Sequence, residues 1–154
     1  MDAAMKRAAA CLALLILGLS GCASAPPPPV LALTITGSAG QNPDTAGQGN
    51  AVAVNLYQLT ATGRFMSSDF YSLTGQEAAT LGTDEAGSSE QFLLTPGQSL
   101  TEKRSLKPSV VAVGFAVLFR DINHSTWRLV APVAARGTTN VSLHINRLTA
   151  TLGN

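Results

Sequence analysis

From Val30 to Asn146 the apolar positions mostly recur at every second residue, the period of a strand with one buried face. Leu31, Leu33 and Ile35 alternate with Ala32, Thr34 and Thr36, which predicts a first strand. Ala51 to Leu59 predicts a second, with Val52, Val54 and Leu56 on one face. Glu90–Thr95 and Leu100–Leu106 flank Pro96-Gly97-Gln98, a turn sequence, and predict a hairpin-like corner with a polar second arm. In Val110–Arg120 the large residues Val111, Val113, Phe115, Val117 and Phe119 share one parity, while Ala112, Gly114 and Ala116 share the other. Such size sorting in a β-branched, aromatic run predicts a central strand. Thr126–Val133, carrying Trp127 as a core residue, and the alternation of Val141, Leu143 and Ile145 supply the last strands. Only Phe65–Leu81 departs from period two. Phe65, Phe70, Leu73, Ala78 and Leu81 follow helical spacing, and Thr74-Gly75-Gln76-Glu77 has the spacing of a capping box, so a short broken helix ending at Gly82 is expected.

Seven or so short strands with one helical insertion predict an all-β fold, a two-layer antiparallel β-sandwich. Between the first two strands, Gly37–Asn50 (GSAGQNPDTAGQGN) contains no large apolar residue and predicts a long surface loop. The small face of Ala112, Gly114 and Ala116 has two readings: close packing against another element, or room for a small ligand or cell-wall component between the sheets.

The N-terminus has a different pattern. Lys6 and Arg7 precede a twelve-residue apolar run, Ala8–Leu19, too short to span the roughly 30 Å of bilayer hydrocarbon as a helix. With Ser20-Gly21 after it, residues 1–21 read as a signal peptide, and Leu19-Ser20-Gly21-Cys22 resembles the lipobox of bacterial lipoproteins, which implies that Cys22 is lipidated and becomes the first residue of the mature chain. The other cysteine, Cys11, lies in the segment to be removed, so Cys22 keeps no intramolecular disulfide partner. Cys22–Pro29 (CASAPPPP) then forms a polyproline tether of about 20 Å, and residues 30–154 form the domain. Ala23 stands after the cysteine in place of an aspartate, which points to the outer membrane.

Without Lys6, Arg7 and Asp2, the mature chain keeps eight cations and eight anions, which does not suit a nucleic-acid partner. No G-x-S-x-G elbow is present, and Gly47-Gln48-Gly49 lacks the third glycine of a dinucleotide loop. His124 and His144 are too few for a zinc site, and Asp69, Glu77, Asp84, Glu85 and Glu90 read as a solvated helix and loop. No enzyme, metal or cofactor reading has residues to support it, apart from the covalent lipid on Cys22.

The lipobox ending at Cys22, Asn42-Pro43-Asp44, Val54-Asn55-Leu56-Tyr57-Gln58-Leu59, Phe65, Asp69-Phe70 with Leu73, Pro96-Gly97, Phe119-Arg120 and Trp127-Arg128 occur in that order. In this the chain resembles the TssJ family of type VI secretion system outer-membrane lipoproteins, from Cys22 to about Leu148. The resemblance implies a transthyretin-like sandwich with a structural role, lipid-anchored on the periplasmic face of the outer membrane. There it would bind the periplasmic domain of TssM, an inner-membrane-anchored protein. It also implies that the first loop makes the contact, here through Gln41, Asn42, Pro43, Asp44, Thr45, Gln48 and Asn50. That loop has no aromatic or arginine residue, the types that often dominate binding energy.

Overall fold

The computed structural model describes residues 27–153, and the expected signal peptide and Cys22 lie outside them. Eight strands form two stacked sheets. One has the order β4-β1-β7-β8, with β1 Val30–Gly37, β4 Ser99–Ser105, β7 Thr138–Asn146 and β8 Thr149–Gly153. The other has the order β3-β2-β5-β6, with β2 Val52–Leu59, β3 Glu90–Leu94, β5 Ala112–Leu118 and β6 Arg128–Pro132. All strand pairs are antiparallel except β1–β7, which is parallel.

The alternation in β1 reproduces the sequence pattern, with Leu31, Leu33 and Ile35 fully buried between the sheets. They meet Val52, Val54, Phe115 and Val117 from the facing sheet in one core. β5 is buried along both faces, because the other side of its sheet carries the helical insertion. A Cβ on Gly114 would stand 2.7 Å from Cζ of Phe65, so the phenyl ring lies directly on the glycine backbone. Tyr57 packs on the same ring at 5.2 Å between centroids. Close helix packing therefore explains Ala112, Gly114 and Ala116, and the space for a ligand is filled.

The insertion is three helical segments, α1 Gly63–Ser67, α2 Phe70–Gly75 and α3 Glu77–Leu81, followed by a 3-10 turn at Gly82–Asp84. Gly82 does end α3, at a φ of 53°. The expected capping box at Thr74–Glu77 does not form. The cap is Asp69, whose Oδ1 accepts from the Ser72 amide at 2.9 Å and whose Oδ2 accepts from the Ser72 hydroxyl at 2.6 Å. Glu77 turns away and accepts from the amide and hydroxyl of Ser89.

The corner at Pro96-Gly97 is also not a hairpin: β3 and β4 belong to different sheets, so the turn carries the chain across the sandwich. β4 is an edge strand with Glu102, Lys103 and Arg104, charges that discourage strand addition from another chain. Arg104 holds Glu90 through a bidentate pair across the two edges. Val111, grouped by parity with the large residues Val113 to Phe119, lies just before β5 and is 52 % exposed, unlike them. Trp127 also departs from expectation. It precedes β6 and is half-buried, edge-on to Phe70 at 5.2 Å, with the Arg128 guanidinium 4.8 Å above its ring.

The acidic residues are not uniformly solvated either. Glu85 lies beside Glu77, and burial together with that second carboxyl pushes its pKa up to about 7. The folded state therefore holds a proton that the unfolded chain releases near 4.5. A raised carboxyl pKa contributes stability at low pH that is lost as pH rises through about 7. Glu85→Gln should accordingly raise Tm at pH 8 and leave it nearly unchanged at pH 4.5. Equal shifts at both pH values would show that Glu85 carries no perturbed titration.

Candidate functional site

β1 runs from Pro29 to the loop, and its eight residues at about 3.3 Å each hold the two some 26 Å apart. The loop end of the sandwich comprises the β1–β2 loop, the β5–β6 connection and the β7–β8 turn. Asn42 joins all three. It has a left-handed φ of 46°, which asparagine tolerates better than most residues. Its amide donates to the Arg147 carbonyl at 2.8 Å, its Nδ2 to the Ala51 carbonyl at 2.7 Å, and its Oδ1 accepts from the Arg120 amide at 2.8 Å.

Gln41 is fully buried. Its Nε2 donates to the carbonyl of Leu94 at 2.9 Å and of Asn50 at 3.3 Å, pinning the loop to β3. Gly37 is needed beneath it, since a Cβ there would fall 1.8 Å from Oε1 of Gln41. Further out, the Oδ1 of Asp44 accepts from the amides of Ala46 and Gln48, both at 2.9 Å. The Gln48 amide, with a smaller share from Ala46, holds the Asp44 carboxyl below its ordinary pKa. Nδ2 of Asn50 donates to the Gln48 carbonyl at 2.8 Å, and Gly47 turns the tip at a φ of 81°. The loop's own polar groups therefore fix its shape before any partner arrives.

The structure thus divides the seven expected contact residues. Gln41 and Asn42 are buried and engaged within the protein, so the expectation that their side chains meet a partner is corrected: they shape the loop. Composition concealed this, because a polar loop reads as solvated unless backbone partners for its amides can be foreseen. Asn50 is half-buried and also works internally. Thr45 and Gln48 are exposed, while Pro43 and Asp44 are half-buried.

Two functional candidates lie outside the loop. Arg120 follows the buried Phe119, and Arg147 occupies the β7–β8 turn in a left-handed conformation, φ 52°. Both are exposed, and neither forms an ion pair with a carboxylate among the described residues. Arg120 and Asp121 line a shallow concavity of about 340 Å³ with Pro43, Asp44, Thr45 and Leu148. The guanidinium absent from the loop sequence is brought beside it by the fold. His124 pairs with Asp121 at 2.8 Å on the same connection. Among the described residues no group of three or more histidine, cysteine or acidic side chains is placed to hold a metal. An open surface of this kind, with a fixed polar tip and unpaired guanidinium groups, suits protein recognition.

Known structures share the architecture. The type VI secretion lipoprotein TssJ1 from Pseudomonas aeruginosa superposes with a TM-score of 0.79 at 28 % identity, over 82 % of this chain and 96 % of that one. Lip from Serratia marcescens, a membrane-bound component of the type VI secretion system, gives 0.75 at 19 % identity, over 82 % and 97 %. A chain of the structure described as the C-terminal domain of the type VI secretion protein TssM from EAEC gives 0.69 at 25 %, over 82 % and 98 %. A search of curated protein sequences returns no match. The model of the type VI secretion lipoprotein family (VasD, EvfM, TssJ) matches residues 29–148, and the chain belongs to that family.

Proposed function

We propose that this type VI secretion lipoprotein is anchored in the outer membrane by acyl chains on Cys22, and that its loop end grips the periplasmic domain of a TssM-like inner-membrane protein. The observation that carries the reading is that the chain enters β1 from Pro29, on the Cys22 side, at one end and leaves it into the loop at the other. A chain held at Cys22 then presents Thr45–Gln48, Arg120 and Arg147 away from its membrane, toward a partner rooted in the other one. The rigid loop supports it further, since a preformed surface loses less entropy on binding. Acyl anchoring fits the lipobox, and because a single chain binds a bilayer with K of only about 10⁴ M⁻¹, several chains are required.

Replacing Thr45-Ala46-Gly47-Gln48 with Gly-Ser residues, with Asp44 and Asn50 kept, should change stability by no more than about 0.5 kcal/mol, as exposed positions do. Copurification with the periplasmic domain of the cognate partner should be lost. The intact mass of the detergent-extracted protein should show an acylated Cys22 at its N-terminus. Partner recovery at the unedited level would remove the loop from the interface, and an unmodified cysteine would overturn the anchor.

A further inference from the structure

The loop tip is too small to be the whole interface. A stable complex buries about 800 Å² on each partner, and the tip offers only Thr45 to Gln48 as exposed residues of the loop's outer turn. Beside it lies an apolar row whose outer end the core leaves open: Leu118 packs against the insertion's cluster and Ala53 is half-buried, while Leu93 stands exposed. On the outer face of the second sheet, Leu93, Ala53 and Leu118 are direct neighbours in register across β3, β2 and β5. The helical insertion covers this face farther from the loop, where Phe65 sits on Gly114. Next to the row it leaves Leu93 65 % exposed, on a strand at the sheet's edge.

The row is continuous with the loop at both ends. Gln41 donates to the carbonyl of Leu94, adjacent to Leu93, and Arg120 follows Leu118 by two residues before bonding Asn42. We propose that the row Leu93–Ala53–Leu118 is the apolar half of the partner-binding surface, with the loop tip and Arg120 forming its polar half. This rests on the reading that the loop end binds the periplasmic domain of the inner-membrane partner. It specifies the chemistry of that partner: an apolar ridge laid across the three strands, with a carboxylate at its loop side to meet Arg120, which forms no ion pair among the described residues although Asp44 and Asp121 line the same concavity. Leu93, left mostly exposed by folding, has much to gain on being covered.

Leu93→Glu tests the assignment, because it places a charge that partner binding would bury unpaired at the exposed, edge-strand end of the row. Val111→Glu is the control. Val111 is similarly exposed, at 52 %, but stands at the tether end, where its amide bonds the carbonyl of Leu59. With the full-length lipoprotein in detergent and the partner's purified periplasmic domain, Leu93→Glu should raise Kd roughly tenfold or more, as loss of a hot-spot residue does. Val111→Glu should leave Kd unchanged. An unchanged Kd for Leu93→Glu, or equal weakening by both variants, overturns the proposal while leaving the loop reading intact. So does loss of self-association by Leu93→Glu in the absence of partner, which would make the row a contact between copies. No binding by the unsubstituted protein overturns the underlying reading instead.

Discussion

Phe65→Ala should lower the unfolding free energy by about 3–5 kcal/mol, the usual cost of emptying a buried aromatic site. Phe65 is fully buried although it comes from a helix of only five residues, far too short to be stable alone. Its ring is the peg that seats the insertion on the sheet, packed on Tyr57 and directly over Gly114. Its carbonyl also accepts from Nη1 of Arg128 at 3.1 Å, so the backbone is held as well as the side chain. The complementary change, Gly114→Ala, should cost about 1–3 kcal/mol, because the added methyl forces the ring out of its place. Trp127→Ala should cost less than Phe65→Ala, as the indole is only half-buried. Urea unfolding of the three variants checks the order. A loss under about 1 kcal/mol for Phe65→Ala, the range of ordinary surface changes, would show that the insertion is not seated through this ring.

The size sorting in Val110–Arg120 made this arrangement partly legible. Small residues of one parity marked a face open to close packing or to a ligand, and period two announced the sheets. The sequence pattern could not say which segment would fill the small face, because Phe65 and Gly114 are distant in the chain and meet only through tertiary packing. The Pro96-Gly97 turn was legible as a turn, but whether it joins neighbours in one sheet or crosses to the other depends on pairing partners. Asp69 was overlooked as a cap in favour of Thr74. Both sit where a helix could begin, and the choice is made by Phe70 and Leu73, which must turn toward Trp127 and the sheet. At the loop end, position was visible and roles were not. Polar composition marked the loop as outside the core, yet two of its amide side chains are buried because backbone carbonyls and an amide await them. Arg120 was noticed only as part of a family motif and Arg147 not at all, for the converse reason: their nearness to the loop exists only after three separate connections converge.

That convergence makes Asn42 the position where one substitution should do most harm at the loop end. Asn42→Ala removes the donor to the Ala51 carbonyl and the acceptor for the Arg120 amide at a site only 4 % exposed. Each buried group left without a partner costs about 1–3 kcal/mol, and an alanine forced to a φ of 46° adds about 1–2 kcal/mol. These terms sum to about 3–8 kcal/mol, and because both bonds are only part-buried, water entering the opened loop brings the loss toward the lower end. Asn42→Gly loses the same two bonds without the backbone penalty, so it should be less damaging than Asn42→Ala, and the gap between them measures the left-handed strain. Both should weaken partner binding even under conditions where the domain remains folded, because the Arg120 amide would no longer fix the β5–β6 connection against the loop. Unfolding curves together with binding at a temperature well below both Tm values separate the two effects. If both variants lose stability but bind as tightly as the unsubstituted protein, Asn42 is a folding residue only, and the spacing between loop tip and Arg120 does not matter to the partner.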